Sequence, residues 1–223
     1  MTWKQFFTTS LGKKYVMAFT GIFLITFLIV HAGINSCIFL NDNGATYNTV
    51  AHFMSHNWIV RFLELGLFAG LILHIIQGLV LWRQNAAARP VRYYSNKPEK
   101  NSTWYSRSMG ILGSLLLIFL VVHLSQFYVG TKIALYGEGD APHNLYDEMK
   151  VVFSNWWIVA IYVAGVVSLF WHLLHGFQSS FQSVGITNRK LKALINKAGI
   201  GYTVIICLLF LSMPLAFFFG WVS

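Results

Sequence analysis

Five long apolar runs, separated by shorter polar segments, set the pattern of this chain. They cover about 15–39, 58–82, 109–135, 156–182 and 199–221. Roughly 20 consecutive apolar residues cross a bilayer as an α-helix, so each run is long enough for one crossing. The pattern predicts an all-α integral membrane protein with five transmembrane helices, in a single domain over residues 1–223.

The composition supports this prediction, because 56% of the 223 residues are hydrophobic and only 10% are charged. Soluble domains average about 25% charged residues. The segment before the first apolar run is polar and basic, but that run is too long for the apolar core of a signal peptide, and no small-residue cleavage site follows it. We therefore expect the first helix to be retained.

The basic residues lie on alternate loops. Thirteen of the 16 Lys and Arg residues precede the first helix or lie between helices 2 and 3 or helices 4 and 5: Lys4, Lys13, Lys14, Arg83, Arg89, Arg92, Lys97, Lys100, Arg107, Arg189, Lys190, Lys192 and Lys197. The opposite side carries the other three with most of the acids: Arg61, Lys132, Lys150, Asp42, Glu138, Asp140, Asp147 and Glu148. Because cytoplasmic loops are enriched in Lys and Arg, we predict a cytoplasmic N-terminus and an outer C-terminus. The net charge of +9 therefore does not indicate a nucleic-acid partner.

Four histidines lie deep within the first four apolar runs: His31, His74, His123 and His172. They belong to an internal repeat, since Gly21 to His31 aligns without gaps on Gly113 to His123, and Asn57 to Gly78 aligns on Asn155 to Gly176. Ionisable groups at membrane depth are costly and usually functional. The sequence thus predicts a pair of helices, each with one buried histidine, that occurs twice.

The predicted topology sorts these histidines by depth. Each lies 16 or 17 residues from the end at which its helix enters the membrane, or about 24–25 Å into a core about 30 Å thick. Helices 1 and 3 enter from the inside, so His31 and His123 lie in the outer half and form the outer pair. Helices 2 and 4 run the other way, so His74 and His172 form the inner pair.

Two imidazoles from facing helices at one depth can supply both axial ligands of a haem iron. Because the core of a four-helix bundle is a natural place for such a cofactor, we expect a haem-binding four-helix bundle with a peripheral fifth helix. Each pair would hold one haem b. The chain has no Cys-x-x-Cys-His motif, which excludes covalent c-type attachment. The alternative is that the histidines only form hydrogen bonds to neighbouring helices.

Other residues allow competing interpretations. His175 rivals His172 as a ligand, but its counterpart in the first repeat is Gln77. The remaining histidines fall in predicted outer loops, where we expect them to be solvated: His52, His56 and His143. Small residues beside the candidate ligands either make room for a flat macrocycle or allow close helix packing: Gly33, Gly70, Gly78, Gly113, Gly165 and Gly176.

With these features the chain resembles the di-haem cytochrome b that serves as the single membrane-anchor polypeptide of succinate dehydrogenase or fumarate reductase. The resemblance covers nearly the whole chain and rests on one histidine in each of the first four helices. It also rests on three short motifs: Ser10 to Lys14 (SLGKK) with Thr20-Gly21, His172-x3-Gly176, and Gly185-Ile186-Thr187. The second motif places the ligand at His172, in agreement with the repeat.

The resemblance implies a quinone-reactive electron-transfer subunit that performs no dicarboxylate chemistry itself. Its partners would be a flavoprotein and an iron–sulfur protein on the cytoplasmic side of a bacterial inner membrane. The basic inner loop 83–107 would suit their docking, although the positive-inside rule alone accounts for its charge. Electrons would pass through the inner and outer haems to a quinone, which we expect to be menaquinone.

Glu64 is the only carboxylate within a predicted helix, and Arg61 lies three residues before it on the same helix face. An intramembrane acid is a functional candidate by default, and the resemblance places the quinone near the outer haem. We therefore expect Glu64 to relay protons at an outer quinone site. The alternatives are a structural Arg61–Glu64 ion pair, or Arg61 bonded to a haem propionate.

Two other functions are compatible with the sequence. One is the di-haem b anchor of another respiratory complex, such as a hydrogenase or formate dehydrogenase, which would differ in its partner. The other is a transporter whose paired histidines bind a metal ion or relay protons. The separation of the histidines in depth, the scarcity of acids in the helices and the absence of a broken-helix pattern argue against a transporter.

Overall fold

A computed structural model describes residues 8–87, 102–136, 144–186 and 188–222 of the chain. Its α-helices, in chain order, are α1 (Ser10–Asn35), α2 (Ala45–His56), α3 (Trp58–Ala87), α4 (Trp104–Arg107), α5 (Met109–His123), α6 (Gly130–Tyr136), α7 (Leu145–Phe153), α8 (Trp156–Ser183) and α9 (Arg189–Phe218). A short 3-10 helix (Ser36–Leu40) follows α1. A π-helical segment (Leu124–Val129) joins α5 to α6.

Within the described ranges, five helical spans are long and apolar enough to cross a membrane. They are Ser10–Leu40, Trp58–Ala87, Met109–Ile133, Trp156–Ser183 and Arg189–Phe218. The prediction of an all-α membrane protein with five transmembrane helices is confirmed.

The fifth span begins at Arg189, ten residues before the apolar run from which it was predicted. The side-chain oxygen of Asn188 accepts hydrogen bonds from the backbone N–H groups of Lys190 and Leu191, at 2.9 and 3.2 Å, and so caps the helix. The basic residues of this inner segment therefore lie on the first turns of α9 rather than in a loop.

Four of the long helices form a closed ring. Helix α1 packs against α3 and α8, and α5 packs against the same two neighbours, so α1 lies diagonally opposite α5, and α3 opposite α8. Helix α9 lies outside the ring against α8 and α1, where the hydroxyl of Tyr202 donates to the carbonyl oxygen of Ile25 at 2.7 Å. This is the four-helix bundle with a peripheral fifth helix that the sequence predicts.

Two short helices that the apolar pattern did not reveal, α2 and α7, cover the end of the bundle nearest the outer pair. Their packing produces the best-buried cluster of side chains: Ile38, Tyr47, Tyr146, Met149, Phe153, Ile158, Val159, Tyr162 and Met213. Tyr146 is fully buried between Tyr47 and Phe217. Burial, with the nearby carboxylates of Asp42 and Asp147, raises the pKa of Tyr146, so its phenol stays neutral.

Two helices of the ring, α3 and α5, bury fewer side chains than the outer cap, which consists of α2, α7 and the cluster that they bury. Among the described residues, Gln77 is the one buried position of α3 and Leu112 the one buried position of α5. All four candidate ligand histidines keep some accessible surface. The other described positions of α3 and α5 keep accessible surface, as expected for helices that face lipid.

Candidate functional site

The structure brings together the two histidines of each pair that the sequence predicts. In the outer pair, the ring centres of His31 and His123 lie 5.8 Å apart with an angle of 88° between the ring planes. In the inner pair, the ring centres of His74 and His172 lie 6.3 Å apart with an angle of 65°. Both pairs join diagonally opposite helices, so they meet in the interior of the bundle.

These spacings match those of two ligands on one metal ion. An imidazole nitrogen lies about 2.0–2.1 Å from a bound metal and about 1.1 Å from its ring centre, so two imidazoles on opposite sides of a metal have centres about 6.3 Å apart. The inner pair has this separation and the outer pair is slightly closer. Edge-to-face packing of two rings gives similar separations. The spacing is compatible with a metal between each pair, and the residues that would hold haem iron are these four histidines.

A second observation supports the fit at the inner pair. The hydroxyl of Thr20 donates to the carbonyl oxygen of Val16 at 2.7 Å, and it lies 3.0 Å from Nδ1 of His74. Because the hydroxyl proton is already used, Thr20 Oγ1 accepts from Nδ1–H, and this network assigns the tautomer. Nε2 of His74 is then a free acceptor that can bind a metal. Metal-ligating histidines usually donate their other ring N–H in this way.

The outer pair has an equivalent arrangement at His123. The hydroxyl of Tyr162 donates to the side-chain oxygen of Gln126 at 2.9 Å, and it lies 3.3 Å from Nδ1 of His123. The phenol oxygen therefore accepts from Nδ1–H, and Nε2 is again left for a metal. Phe119 stacks on His123, just as Phe27 stacks on His31. The two copies of the repeat thus build similar surroundings.

His172 differs from His74 in one respect that the repeat explains. A β-carbon added at Gly21 would lie 3.8 Å from Cε1 of His74, and one added at Gly113 would lie 3.8 Å from Cε1 of His172, so the two ligands have equivalent neighbours. The repeat counterpart of Thr20, however, is Leu112. An aliphatic side chain cannot accept a hydrogen bond, and within the described residues Nδ1 of His172 is buried without a partner.

Some of the glycines near the histidines allow close helix packing, and others leave open space beside the helix. Gly165 and Gly70 serve close packing, because added β-carbons would lie 2.5 Å from Phe119 and 3.1 Å from Phe23. At Gly176, one turn along α8 from His172, no other side chain of the described residues lies within 4 Å of the β-carbon position, and the same holds for Gly33. The open position beside His172 leaves room for a flat ligand.

The other histidines are not brought together in this way. The ring centres of His175 and Tyr105 lie 6.5 Å apart. The residue at the position of His175 in the first repeat is Gln77. His52 and His56 stack at 3.8 Å on the exposed face of α2, and His143 lies outside the described residues. In the part of the chain that the structure describes, no cluster of three or more His, Cys, Asp or Glu side chains could hold a metal ion.

Glu64 has partners that the sequence did not predict. Its carboxylate accepts a hydrogen bond from the hydroxyl of Tyr128 at 2.5 Å and forms an ion pair with Lys132 at 2.9 Å. Arg61 instead donates from Nε to the carbonyl oxygen of Ser55 at 3.2 Å and lies over the ring of Tyr136. The Arg61–Glu64 ion pair that the sequence allows as an alternative is therefore not formed.

Three residues of the site were missed from the sequence: Tyr128, Lys132 and Tyr162. Lys132 was counted only as an outer charge, Thr20 was noted only as part of a short motif, and the hydroxyl side chains carry no recognisable spacing relative to their partners. The repeat held one usable signal, since Tyr162 is the counterpart of Glu64. A polar residue at that position in both copies marks the neighbourhood of the outer pair.

The inner surface is described only in part. Residues 88–101, which include Arg89, Arg92, Lys97 and Lys100 of the basic inner loop, lie outside the described ranges, as do Lys4, Glu138, Asp140 and Thr187.

Comparisons with protein-family models, curated proteins and solved structures found no match for this chain. The chain is a multi-pass helical membrane protein, and the basis for any more specific function is the geometry of its own residues.

Proposed function

We propose that this chain is the membrane-anchor cytochrome b subunit of a succinate:quinone oxidoreductase. The observation that carries the proposal is the meeting of two histidine pairs in one bundle, at equivalent positions of the repeat segments. In two of the four histidines a neighbouring hydroxyl lies within hydrogen-bond distance of Nδ1, at 3.0 and 3.3 Å, which leaves Nε2 without a hydroxyl partner. A histidine that only stabilises helix packing would show the same contact at Nδ1, so the proposal rests on the pairing of the four rings across the bundle.

The inner pair would hold one haem b and the outer pair a second. Bound haem would supply reversible one-electron redox chemistry within the membrane, and the protein would supply its binding and orientation. The chain's own residues position the ligands: Thr20 and Tyr162 orient two of the imidazoles, and the glycines beside His172 leave space. The partners would be a flavoprotein and an iron–sulfur protein at the cytoplasmic face of a bacterial inner membrane, and the electron acceptor would be menaquinone.

Haem content tests the proposal most directly. The complex is purified from its native membrane, and its haem is extracted into alkaline pyridine and counted against chain concentration. We expect two protoporphyrin haems per chain, low-spin b-type bands after reduction, and co-purifying flavin. Well-folded protein without haem would overturn the proposal and favour a transporter, whereas two haems with a partner other than a flavoprotein would favour the anchor of a hydrogenase or formate dehydrogenase.

Thr20→Val should weaken haem binding at the inner pair. Valine has nearly the same shape but cannot accept from Nδ1–H of His74, and removing such a partner typically costs about 10–100-fold in metal affinity or activity. We expect faster loss of one of the two haems to a haem-scavenging protein. Thr20→Ser is the matched control, since it keeps the hydroxyl and should lose haem at the wild-type rate. Equal rates for Val and Ser would contradict the role of Thr20.

Glu64→Gln should slow quinone turnover without loss of haem. Glutamine keeps the shape of the side chain but cannot carry a proton, and a positioned proton carrier typically contributes about 10²–10⁴-fold to a rate. The measurement compares succinate:quinone activity with succinate oxidation by a dye that accepts electrons from the soluble subunits. A variant with both haems and full quinone turnover would exclude Glu64 as the proton relay.

A further inference from the structure

A compact polar cluster lies at the outer ends of α3, α5 and α6. Its members are Glu64 from α3, Tyr128 from the π-helical segment and Lys132 from α6. The two oxygens of the carboxylate have different donors, because Tyr128 bonds to Oε1 and Lys132 bonds to Oε2. The side chains of Lys132 and Glu64 are 24% and 25% exposed, so the ion pair is not sealed inside the bundle.

Tyr128 of this cluster belongs to the π-helical segment. In an α-helix successive residues turn by about 100°, so the residue five positions on points well away from the first. In a π-helix the backbone hydrogen bonds run from residue i to i+5, which widens the turn, and such segments are frequent at functional sites. The segment begins directly after His123, and it supplies both Gln126, which bonds to Tyr162, and Tyr128, which bonds to Glu64.

The same backbone turn therefore contacts two groups with different roles. On one side it holds the tyrosine that accepts from the imidazole of His123, and on the other side it holds the carboxylate of Glu64. The ammonium group of Lys132 also lies 5.3 Å from the ring centre of Tyr128, at cation–π distance. The π-helical segment interrupts the regular α-helical hydrogen bonds, and its side chains form contacts on both sides of the helix.

The carboxylate of the cluster occurs in one copy of the repeat only. Tyr162 takes the place of Glu64 in the second copy, and its phenol bonds to Gln126 and His123 rather than to a cation. A membrane-embedded carboxylate is costly unless it is paired. The carboxylate comes from the first copy and its cationic partner, Lys132, lies after His123 in the second copy, and the two meet at the predicted outer end, where the quinone is proposed to react.

We propose that Lys132 and Tyr128 are positioning residues that hold Glu64 as an ion-paired carboxylate at the outer surface and release it when it takes up a proton. The part of this inference that concerns quinone rests on the proposed function. Reduction of a quinone takes two electrons, supplied through the partner subunits, and two protons. Glu64 would take a proton from outer water and pass it to a quinone oxygen, one proton at a time.

Carbodiimide labelling tests the ion pair without any need for haem or quinone. Dicyclohexylcarbodiimide reacts with a protonated carboxyl group in an apolar environment, and the product is located by peptide mass spectrometry. An opposite charge within about 4–6 Å typically shifts the balance between the two protonation states by about tenfold or more. In the purified complex, we expect Lys132→Gln to increase the labelling rate of Glu64 by about tenfold, and Tyr128→Phe to increase it less.

Two further variants make this experiment decisive. Lys132→Arg restores the positive charge and should bring labelling back toward the wild-type rate, whereas a purely steric role of Lys132 would not be rescued in this way. Lys150→Gln removes another outer lysine, which lies over the ring of Tyr146, and should leave the labelling of Glu64 unchanged. Wild-type labelling in Lys132→Gln would overturn the inference.

The same preparations separate this inference from the proposed function. Haem content of the wild-type complex decides the proposed function, and labelling decides the ion pair. If both hold, the pH profile of quinone turnover should change in Lys132→Gln and recover in Lys132→Arg at unchanged haem content. Faster labelling in Lys132→Gln with an unaltered pH profile would support the ion pair but contradict its role in proton uptake.

Discussion

Alanine substitution of a single ligand histidine is expected to remove one haem and leave the other. His74→Ala and His172→Ala should each lose the inner haem, and His31→Ala and His123→Ala should each lose the outer haem. The two pairs join different residues at different depths, so the loss of one axial ligand leaves the other pair intact. Pyridine extracts should fall from two haems per chain to one, and quinone turnover should fall to background.

His175→Ala is the matched control for this series. It removes an imidazole from the same helix, one turn beyond His172, but the ring of His175 packs against that of Tyr105, with ring centres 6.5 Å apart. Both haems should remain in this variant. Loss of the inner haem from His175→Ala, with its retention in His172→Ala, would reassign the ligand and contradict both the repeat and the ring geometry.

Gly44→Ala is expected to destabilise the outer cap strongly for so small a substitution. Gly44 has a φ of +76° at the start of α2, and an added β-carbon would lie 2.2 Å from Cγ of the buried Tyr146 ring. The left-handed backbone costs alanine about 1–2 kcal/mol, and forcing an atom into a packed core costs about 1–3 kcal/mol more. Thermal unfolding in detergent should begin several degrees earlier than in the wild type.

Gly220→Ala separates these two contributions. Gly220 has a similar φ of +68°, but within the described residues no side chain lies within 4 Å of its β-carbon position. Its substitution should therefore cost only the backbone term. If Gly44→Ala and Gly220→Ala shift the unfolding temperature equally, the contact between Gly44 and Tyr146 contributes nothing to the stability of the cap.

The five spans could be predicted from the sequence because a membrane helix depends mainly on the length of its own apolar run. Helix ends were harder to predict, since they depend on local caps and on contacts made outside the bilayer. The start of α9 at Arg189 follows from the cap at Asn188. Helices α2 and α7 are short, and their stability comes from burying Tyr47 and Tyr146 against each other.

The candidate site divides in the same way. The sequence by itself determined which four histidines repeat, and it predicted which two lie together, because the pairing follows from helix rise and direction. Only the tertiary structure decided that Thr20 bonds to His74, that Tyr162 bonds to His123, and that Glu64 pairs with Lys132 rather than with Arg61. Such contacts depend on the rotation of each helix against its neighbours, and after α5 on a π-helical turn that residue spacing does not reveal.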